Sequence, residues 1–577
     1  EVLQVVSQVL YNGKAGLIDL DLNQQQKVLN SYGYPMGLAD YSAFILGGLP
    51  KQGQTLEEVK DLLLNEIKKL RAGEFDEKML QANINNFKLY ELQSMESNEG
   101  RADIFVNSFI NGTNWKDEVT AIDRMAKLTK EDIVAFADKY LKEDNYAVVY
   151  KKQGKDPNEK KMTKPEITPI VSNRDVASPF LTSIQENAVR PIEPVFLDFK
   201  KDMSQLTAKS DIPVLYKQNT TNDLFQLIYV FDMGNNNDKA LGTAFDYLEY
   251  LGTSDMTPEE LQSEFYRLAC TFYVSPGNER TYVVLSGLNE NMPAAMQLFE
   301  KLLADAQVNK EAYNNLVGDI LKARADAKLN QGQNFSRLMN YAMYGPKSPA
   351  TNLLTEAELA SMNPQKLVDR IHNQNNYKHR ILYYGPSSSK DLLATIDQYH
   401  QVPATLKDIP AGNEFSYLET PATKVLVAPY EAKQIYMAQI SNLDKKYDPA
   451  IEPTRELYNE YFGGGMNSIV FQEMRETRGL AYSAWASIMP PSYLKYPYVL
   501  RTQIATQNDK MIDAVTTFND IINNMPESEA AFKLAKDGLT NRLRTERIIK
   551  GDIIWSYINA PTPIKMIGGR KPVLINM

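Results

Sequence analysis

Five residues, Asp246-Tyr247-Leu248-Glu249-Tyr250, carry the spacing of an H-x-x-E-H zinc motif with both histidines replaced. Two imidazoles four residues apart on one helix, with a downstream carboxylate, hold zinc, and the glutamate between them activates water. Here Asp246 offers one hard oxygen. Tyr250 is a poor ligand because its phenol stays protonated near neutral pH. Leu457-Tyr458-Asn459-Glu460-Tyr461 repeats the pattern, again keeping glutamate and losing both histidines. These residues predict core helices with Leu248 and Leu251 inward, and no zinc bound at either place.

The remaining metal ligands are few. His372, His379 and His400 are the only histidines and Cys270 the only cysteine. None of the histidines has an i, i+4 partner, so solvent-facing or capping roles are expected, and an internal disulfide is excluded. A second group with chemical potential is Gly463-Gly464-Gly465, followed by Arg475 and Tyr482. An arginine fork can bind a peptide carbonyl through two donors, and a tyrosine hydroxyl can donate to an oxygen that gains negative charge. The alternative is that Arg475 pairs with Glu473 or Glu476 and Tyr482 packs on a sheet; Arg478 is a second candidate cation. Three glycines before a helix also suit a phosphate loop, but no Lys-Ser/Thr follows. They are read as a turn using positive φ or a close backbone approach.

The elements that must position these residues repeat along the chain. A strand, "YSAFILGGLP" (41–50), precedes a helix, "TLEEVKDLLLNEIKKL", and a longer helix, "KMLQANINNFKLYELQ"; a helix "LTKEDIVAFADKYL" and a strand "NYAVVY" (145–150) close the unit. The order recurs from "RTYVVLSGL" (280–288) to the strand "RILYYG" (380–385), and again from "YPYVLRTQIATQ" (496–507). Helical segments show apolar steps of three and four, and strands are β-branched or aromatic runs. The second and third copies share an opening strand pair, 212–219 with 224–234 and 423–430 with 434–442; the first lacks it, as expected of a piece of a longer protein. The fold class expected is α+β: tandem homologous domains, each a mostly antiparallel sheet with helices on one face. The divisions are 1–150, 201–395 and 415–577. A Pro/Lys-rich linker at 151–200 carries Pro157, Pro165, Pro169, Pro179, Pro191 and Pro194, which are expected to block continuous helix. The tail after Pro561 departs from the repeat, with "PVLIN" left as a closing strand.

The chain has 577 residues and a formal charge of −9, with 43% hydrophobic residues. Acidity of this size argues against nucleic acid as the partner. No apolar run is long enough to span a membrane. No targeting signal is read within this segment, any such signal being expected upstream, and the compartment, periplasmic or cytoplasmic, stays open.

The stretch "YFGGGMNSIVFQEMRETRGLAYSAWA" (461–486) resembles the pitrilysin/insulinase family of zinc metallopeptidases, the inverzincins. The resemblance covers nearly all of the chain to about residue 560. It implies four homologous domains in two halves that close like a clamshell around a peptide, with zinc in the first domain. This chain then looks like the second, third and fourth domains, the third being an inactive catalytic-like one. Its implied function is the non-catalytic, substrate-binding portion of a zinc endopeptidase, with Arg475, Tyr482 and the glycine turn at the peptide. The implied partners are a peptide substrate and the catalytic half. A stand-alone inactive subunit or scaffold beside a separate catalytic chain is the other implied reading.

Overall fold

The computed structural model describes residues 1–38, 40–154, 157–158, 160, 176–187, 190–491 and 496–560. The structure forms two compact units. One comprises 1–154, 203–325 and 353–413; the other comprises 155–202, 326–352 and 414–577.

In the first unit, β1 (Asn30–Gly37) and β2 (Ser42–Leu49) form an antiparallel hairpin with Tyr32 opposite Gly47 and Tyr34 opposite Ile45. Helix Leu56–Arg71 follows, opened by a capping box in which Thr55 and Glu58 satisfy each other's backbone N–H groups. Its apolar steps bury Val59, Leu63, Ile67 and Leu70 against Val5, Val9 and Leu10 of helix Val2–Leu10. Helices Lys78–Ser94, Asn98–Asn111 and Lys130–Tyr140 complete this copy.

The second copy supplies β3 (Ser204–Ala208), β4 (Ile212–Gln218), β5 (Leu224–Phe231), β6 (Cys270–Pro276), β7 (Thr281–Leu288) and β8 (Arg380–Gly385). They build one six-stranded sheet in the order β3-β4-β8-β5-β7-β6, antiparallel except where β4 runs parallel to β8. All but one of the residues of β5 are buried, as its central place requires. Helices Leu241–Leu248, Met292–Asp305 and Gln365–Asn373 join the same core. The first copy packs on the second: Asn86 Nδ2 donates to Tyr266 O at 2.8 Å, and Lys51 pairs with Asp319 at 3.0 Å.

In the second unit β9 (Gln434–Lys446), β10 (Ala481–Met489) and β11 (Pro497–Gln507) form an antiparallel sheet ordered β10-β11-β9. Helices Met511–Asn523, Glu529–Thr545 and Asp552–Asn559 follow in the repeat's order.

The α+β class with antiparallel sheets stands. Two expected strands do not form. Residues 146–150 have no strand partner, and Val149 is 92% exposed. Residues 423–430 are also not a strand. The second copy shows why. Its closing strand β8 pairs with both β4 and β5, which are the opening pair. The described first copy has no opening pair, so 146–150 has nothing to join. Conversely, 423–430 corresponds to β4, whose central partner is the closing strand, and "PVLIN" lies outside the described residues. The connector also differs: Pro179 opens a helix, Pro179–Gln185, capped by Ser178. Proline in a first turn costs no hydrogen bond. Much of the connector, 161–175, lies outside the described residues.

Candidate functional site

Arg475 sits in a π-turn, Gln472–Thr477, that continues the short helix Ile469–Phe471. Ser468 caps this helix, accepting from Phe471 N at 3.4 Å. The extra residue in the turn ends it tightly: Leu480 N donates to Met474 O at 2.8 Å, and Gly479 takes φ +55°. Met474 is fully buried beneath it. The chain then enters β10, whose register against β11 shifts between Ala481 and Ser483. Tyr482 is the residue at this bulge, and it is 75% exposed. Bulges re-aim a side chain, and π-turns recur at functional sites.

The two irregularities bring the candidates together. The Arg475 guanidinium lies 5.2 Å from the Tyr482 ring centre and 5.0 Å from that of Phe471. Both distances are within cation–π range. The neighbouring carboxylate of Glu476 is 3.6 Å from Nε, too far for a tight pair. Tyr482 does not pack into the sheet, and its hydroxyl has no hydrogen bond among the described residues. Arg478 instead pairs with Glu473 at 3.4 Å. Phe471 was not legible in the sequence as a site residue.

The glycine turn works through close approach alone. Gly463 has φ −143°, and none of Gly463, Gly464 and Gly465 has positive φ. A Cβ on Gly463 would lie 2.2 Å from Ala486 O, and one on Gly464 2.7 Å from Asn459 O; Gly465 has open space. Helix Glu452–Phe462 is thereby held on β10, where Asn459 exchanges hydrogen bonds with the Ile488 backbone at 2.8 and 3.1 Å.

The H-x-x-E-H-like stretch does not have the donor set of a metal helix. The α-helix ends at Leu248, and Tyr250 N donates to Tyr247 O, one residue tighter than an α-turn. Asp246 stays close enough to Tyr250 to act on its phenol as a neighbouring charge, but the two do not make a zinc donor set. Leu248 and Leu251 point into the core. Surrounding protein and the neighbouring Glu249 push the Asp246 carboxyl up to about 6, although it keeps contact with solvent; burial and Glu249 push the Tyr250 phenol up to about 12. A phenol held protonated and a single carboxylate do not fit zinc. In the third copy Glu460 pairs with Arg542 at 2.8 Å, and the Tyr461 hydroxyl donates to Pro526 O at 2.7 Å. Among the described residues no three His, Cys, Asp or Glu side chains cluster as a metal site.

Near Glu249 and Tyr250 lies a cavity of about 270 Å³, lined also by Lys14, Asp19, Gln262 and Asp319. Asp19 is buried, and Oδ2 accepts from the N–H groups of Asn12, Gly13 and Gly16 at 2.8, 3.1 and 3.0 Å. Burial outweighs those donors and pushes its carboxyl up to about 6.

Two of the three histidines overturn the expectation of solvent-facing or capping roles; His372, half-buried in the last turn of Gln365–Asn373, donates from Nε2 to Ala306 O at 3.1 Å. His379 and His400 are buried and 2.9 Å apart through their Nε2 atoms. His379 Nδ1 donates to Tyr377 O at 2.7 Å. His400 Nδ1 meets Glu300 Oε1 at 2.6 Å, and Tyr229, Asn375 and the Gln401 N–H donate to the same carboxylate at 2.9, 3.0 and 3.1 Å. Burial, then the neighbouring His400, pushes His379 down to about 4. The sequence signal was Glu300 itself, a charge on the apolar stripe of Met296, Phe299 and Leu303.

Residues 381–539, which span β8 through most of helix Glu529–Thr545, match the family model described as the Peptidase M16 inactive domain. This chain resembles the M16 peptidases. Its relatives include an uncharacterized zinc protease of Rickettsia felis, 21% identical over 263 residues, covering 43% of this chain and 60% of that protein. The uncharacterized zinc protease YmxG of Bacillus subtilis is 23% identical over 250 residues, covering 42% of this chain and 58% of that protein. The chain thus spans about three-fifths of the length of the curated relatives it matches. Among solved structures, the periplasmic protease PqqL of Escherichia coli aligns at 13% identity with a TM-score of 0.55, covering 100% of this chain and 66% of that one. The ferredoxin protease FusC, solved with Arabidopsis ferredoxin, aligns at 10% identity with a TM-score of 0.51, covering 100% and 67%. These likenesses carry the M16-like fold. The M16 match falls on the part of the chain that contains Arg475, Tyr482 and the glycine turn, and it is to the non-catalytic part of such proteases. No helix among the described residues is long and apolar enough to cross a membrane.

Proposed function

We propose that this chain is the substrate-contacting, non-catalytic portion of a zinc-dependent endopeptidase of the pitrilysin/insulinase type. On this reading 1–150 is the second domain of the whole protein, 201–395 the inactive catalytic-like third, 415–577 the fourth, and 151–200 the connector between halves. Zinc belongs to a catalytic part beyond this sequence, where it would activate water for attack on a peptide carbonyl. The observation that supports the proposal is the Arg475–Tyr482 contact at a bulge, where the tyrosine hydroxyl has no hydrogen bond among the described residues and Arg475 meets Glu476 only at 3.6 Å. The Arg475 fork donates to a carbonyl of an extended peptide and fixes its register. The Tyr482 hydroxyl donates to the scissile oxygen as it gains negative charge, which lowers the barrier because the donor is already in place. Phe471 supports the guanidinium through a cation–π contact, and the glycine turn lets backbone pass close to β10.

The test joins or mixes the chain with a zinc-bearing M16 part and measures peptide turnover. Arg475→Ala and Tyr482→Phe are each expected to lower kcat by about one to three orders of magnitude. Unchanged turnover in both would remove the assignment.

A further inference from the structure

The buried carboxylate of Glu300 collects hydrogen bonds from Tyr229, Asn375 and the Gln401 N–H. A carboxylate only accepts, so this contact fixes the Asn375 amide: Nδ2 faces Glu300 and Oδ1 faces away. Asn375 is 7% exposed, and its Oδ1 is buried with no hydrogen bond among the described residues. Buried acceptors are nearly always paired, so this oxygen calls for a donor.

Asn375 and Glu300 line a cavity of about 280 Å³. Its other polar walls also end in acceptors. His372 gives its Nε2–H to the Ala306 carbonyl, which leaves Nδ1 with a lone pair on the neutral ring. Asn373 Nδ2 is taken by Asp369 O at 2.6 Å, so Asn373 Oδ1 receives Asn376 Nδ2 at 2.9 Å and Asn376 Oδ1 is left open. Gln401 is exposed and can present either end of its amide. No lysine or arginine among the described residues lines the space; the rest of the wall is apolar and includes Leu303, Ile371 and Val402. A water molecule takes about 30 Å³ of the liquid, so the cavity has room for a stem of several carbons rather than one water or a bare ion.

We infer that this cavity is a binding site for an alkylguanidinium, the group at the end of an arginine side chain. The planar cation donates to Asn375 Oδ1 and the neighbouring acceptors of His372 and Asn376, and its stem lies on the apolar wall. Guanidinium carries five N–H donors and no acceptor, which matches a wall of lone pairs. It is also more weakly hydrated than ammonium. That property decides between the two cations, because the Glu300 charge is already met by His400 and three other donors. A carboxylate or phosphate would face lone pairs alone. Every wall comes from the second copy, so occupancy does not depend on the role of Arg475 and Tyr482.

Calorimetric titration of the full chain with n-butylguanidinium at neutral pH is expected to show one saturable site. n-Butylurea, a neutral isostere with an acceptor oxygen in place of one nitrogen, should bind at least about tenfold more weakly, with n-butylammonium between them. Ala304→Phe adds a ring at an exposed wall position and should abolish binding with unchanged circular dichroism and melting. His372→Phe removes one acceptor and should weaken binding about three- to tenfold; if it melts early, Ala304→Phe carries the test. A capped tripeptide with a central arginine, competed against n-butylguanidinium, names the source. Tighter binding of the peptide assigns the site to an arginine residue, weaker binding to a free alkylguanidine, and displacement in either case supports the site. Absence of saturable heat with either cation, equal affinity for n-butylurea, or binding that survives Ala304→Phe would overturn the inference.

Discussion

The first and second copies run through the same order of strands and helices, yet one holds two strands in its sheet and the other six. The difference lies in the opening strand pair. In the second copy β4 and β5 create the slot that β8 fills, and the buried ladder turns an aromatic run into a strand. In the first copy an equally aromatic run, Tyr146–Tyr150, stays without strand structure. Strand propensity is thus conditional on a partner edge, as expected when sheet stability resides in cross-strand pairs. The comparison extends to buried charge. The second copy invests in a closed network around Glu300, whereas the first isolates Asp19 among backbone donors beside a cavity.

The largest expected effect breaks the network. Glu300→Leu leaves His400, Asn375 and the Gln401 N–H without their acceptor, and should cost about 3–5 kcal/mol in urea unfolding. A loss below about 1 kcal/mol would mean that the network is not structural.

The pH dependence sharpens the contrast because the two copies have opposite signs. His379 is held neutral at about 4, below its unfolded value, so the unfolded state binds the extra proton and stability falls as pH drops from about 6.5 to 4, by roughly 3 kcal/mol. Asp19 is raised to about 6, so its contribution is fully present below about 3.8 and is lost as pH rises through 6. Asp19→Asn removes the opposing term. That variant should therefore lose stability on acidification more steeply than wild type, as read by urea melts at pH 7 and 4.5.

A smaller effect distinguishes glycines within one turn. Gly463→Ala forces a Cβ against Ala486 and should cost about 1–3 kcal/mol. Gly465→Ala, in open space, should stay within about 0.5 kcal/mol.

Much of this was legible in sequence. The repeat and the helix periodicities follow from local pattern, whereas Arg475 and Tyr482 were singled out by the resemblance of 461–486. The π-turn and the bulge that bring Arg475 onto Tyr482 do not, because each adds one residue to a regular element without a distinctive residue type. The glycine turn was read for backbone freedom, whereas contact with Ala486 governs it, and that contact exists only after β10 folds back. His379 and His400 are 21 residues apart, and Glu300 lies a further 79 from His379; only the packed sheet brings them together.

The account's central claim is that these copies kept the M16-like fold while losing its metal chemistry. Zinc titrated into the purified chain, followed by calorimetry and by metal content after dialysis, tests it directly. The account predicts well under one equivalent retained and no peptide hydrolysis by the chain alone. One tightly held equivalent with hydrolysis, abolished by Glu249→Gln, would contradict it.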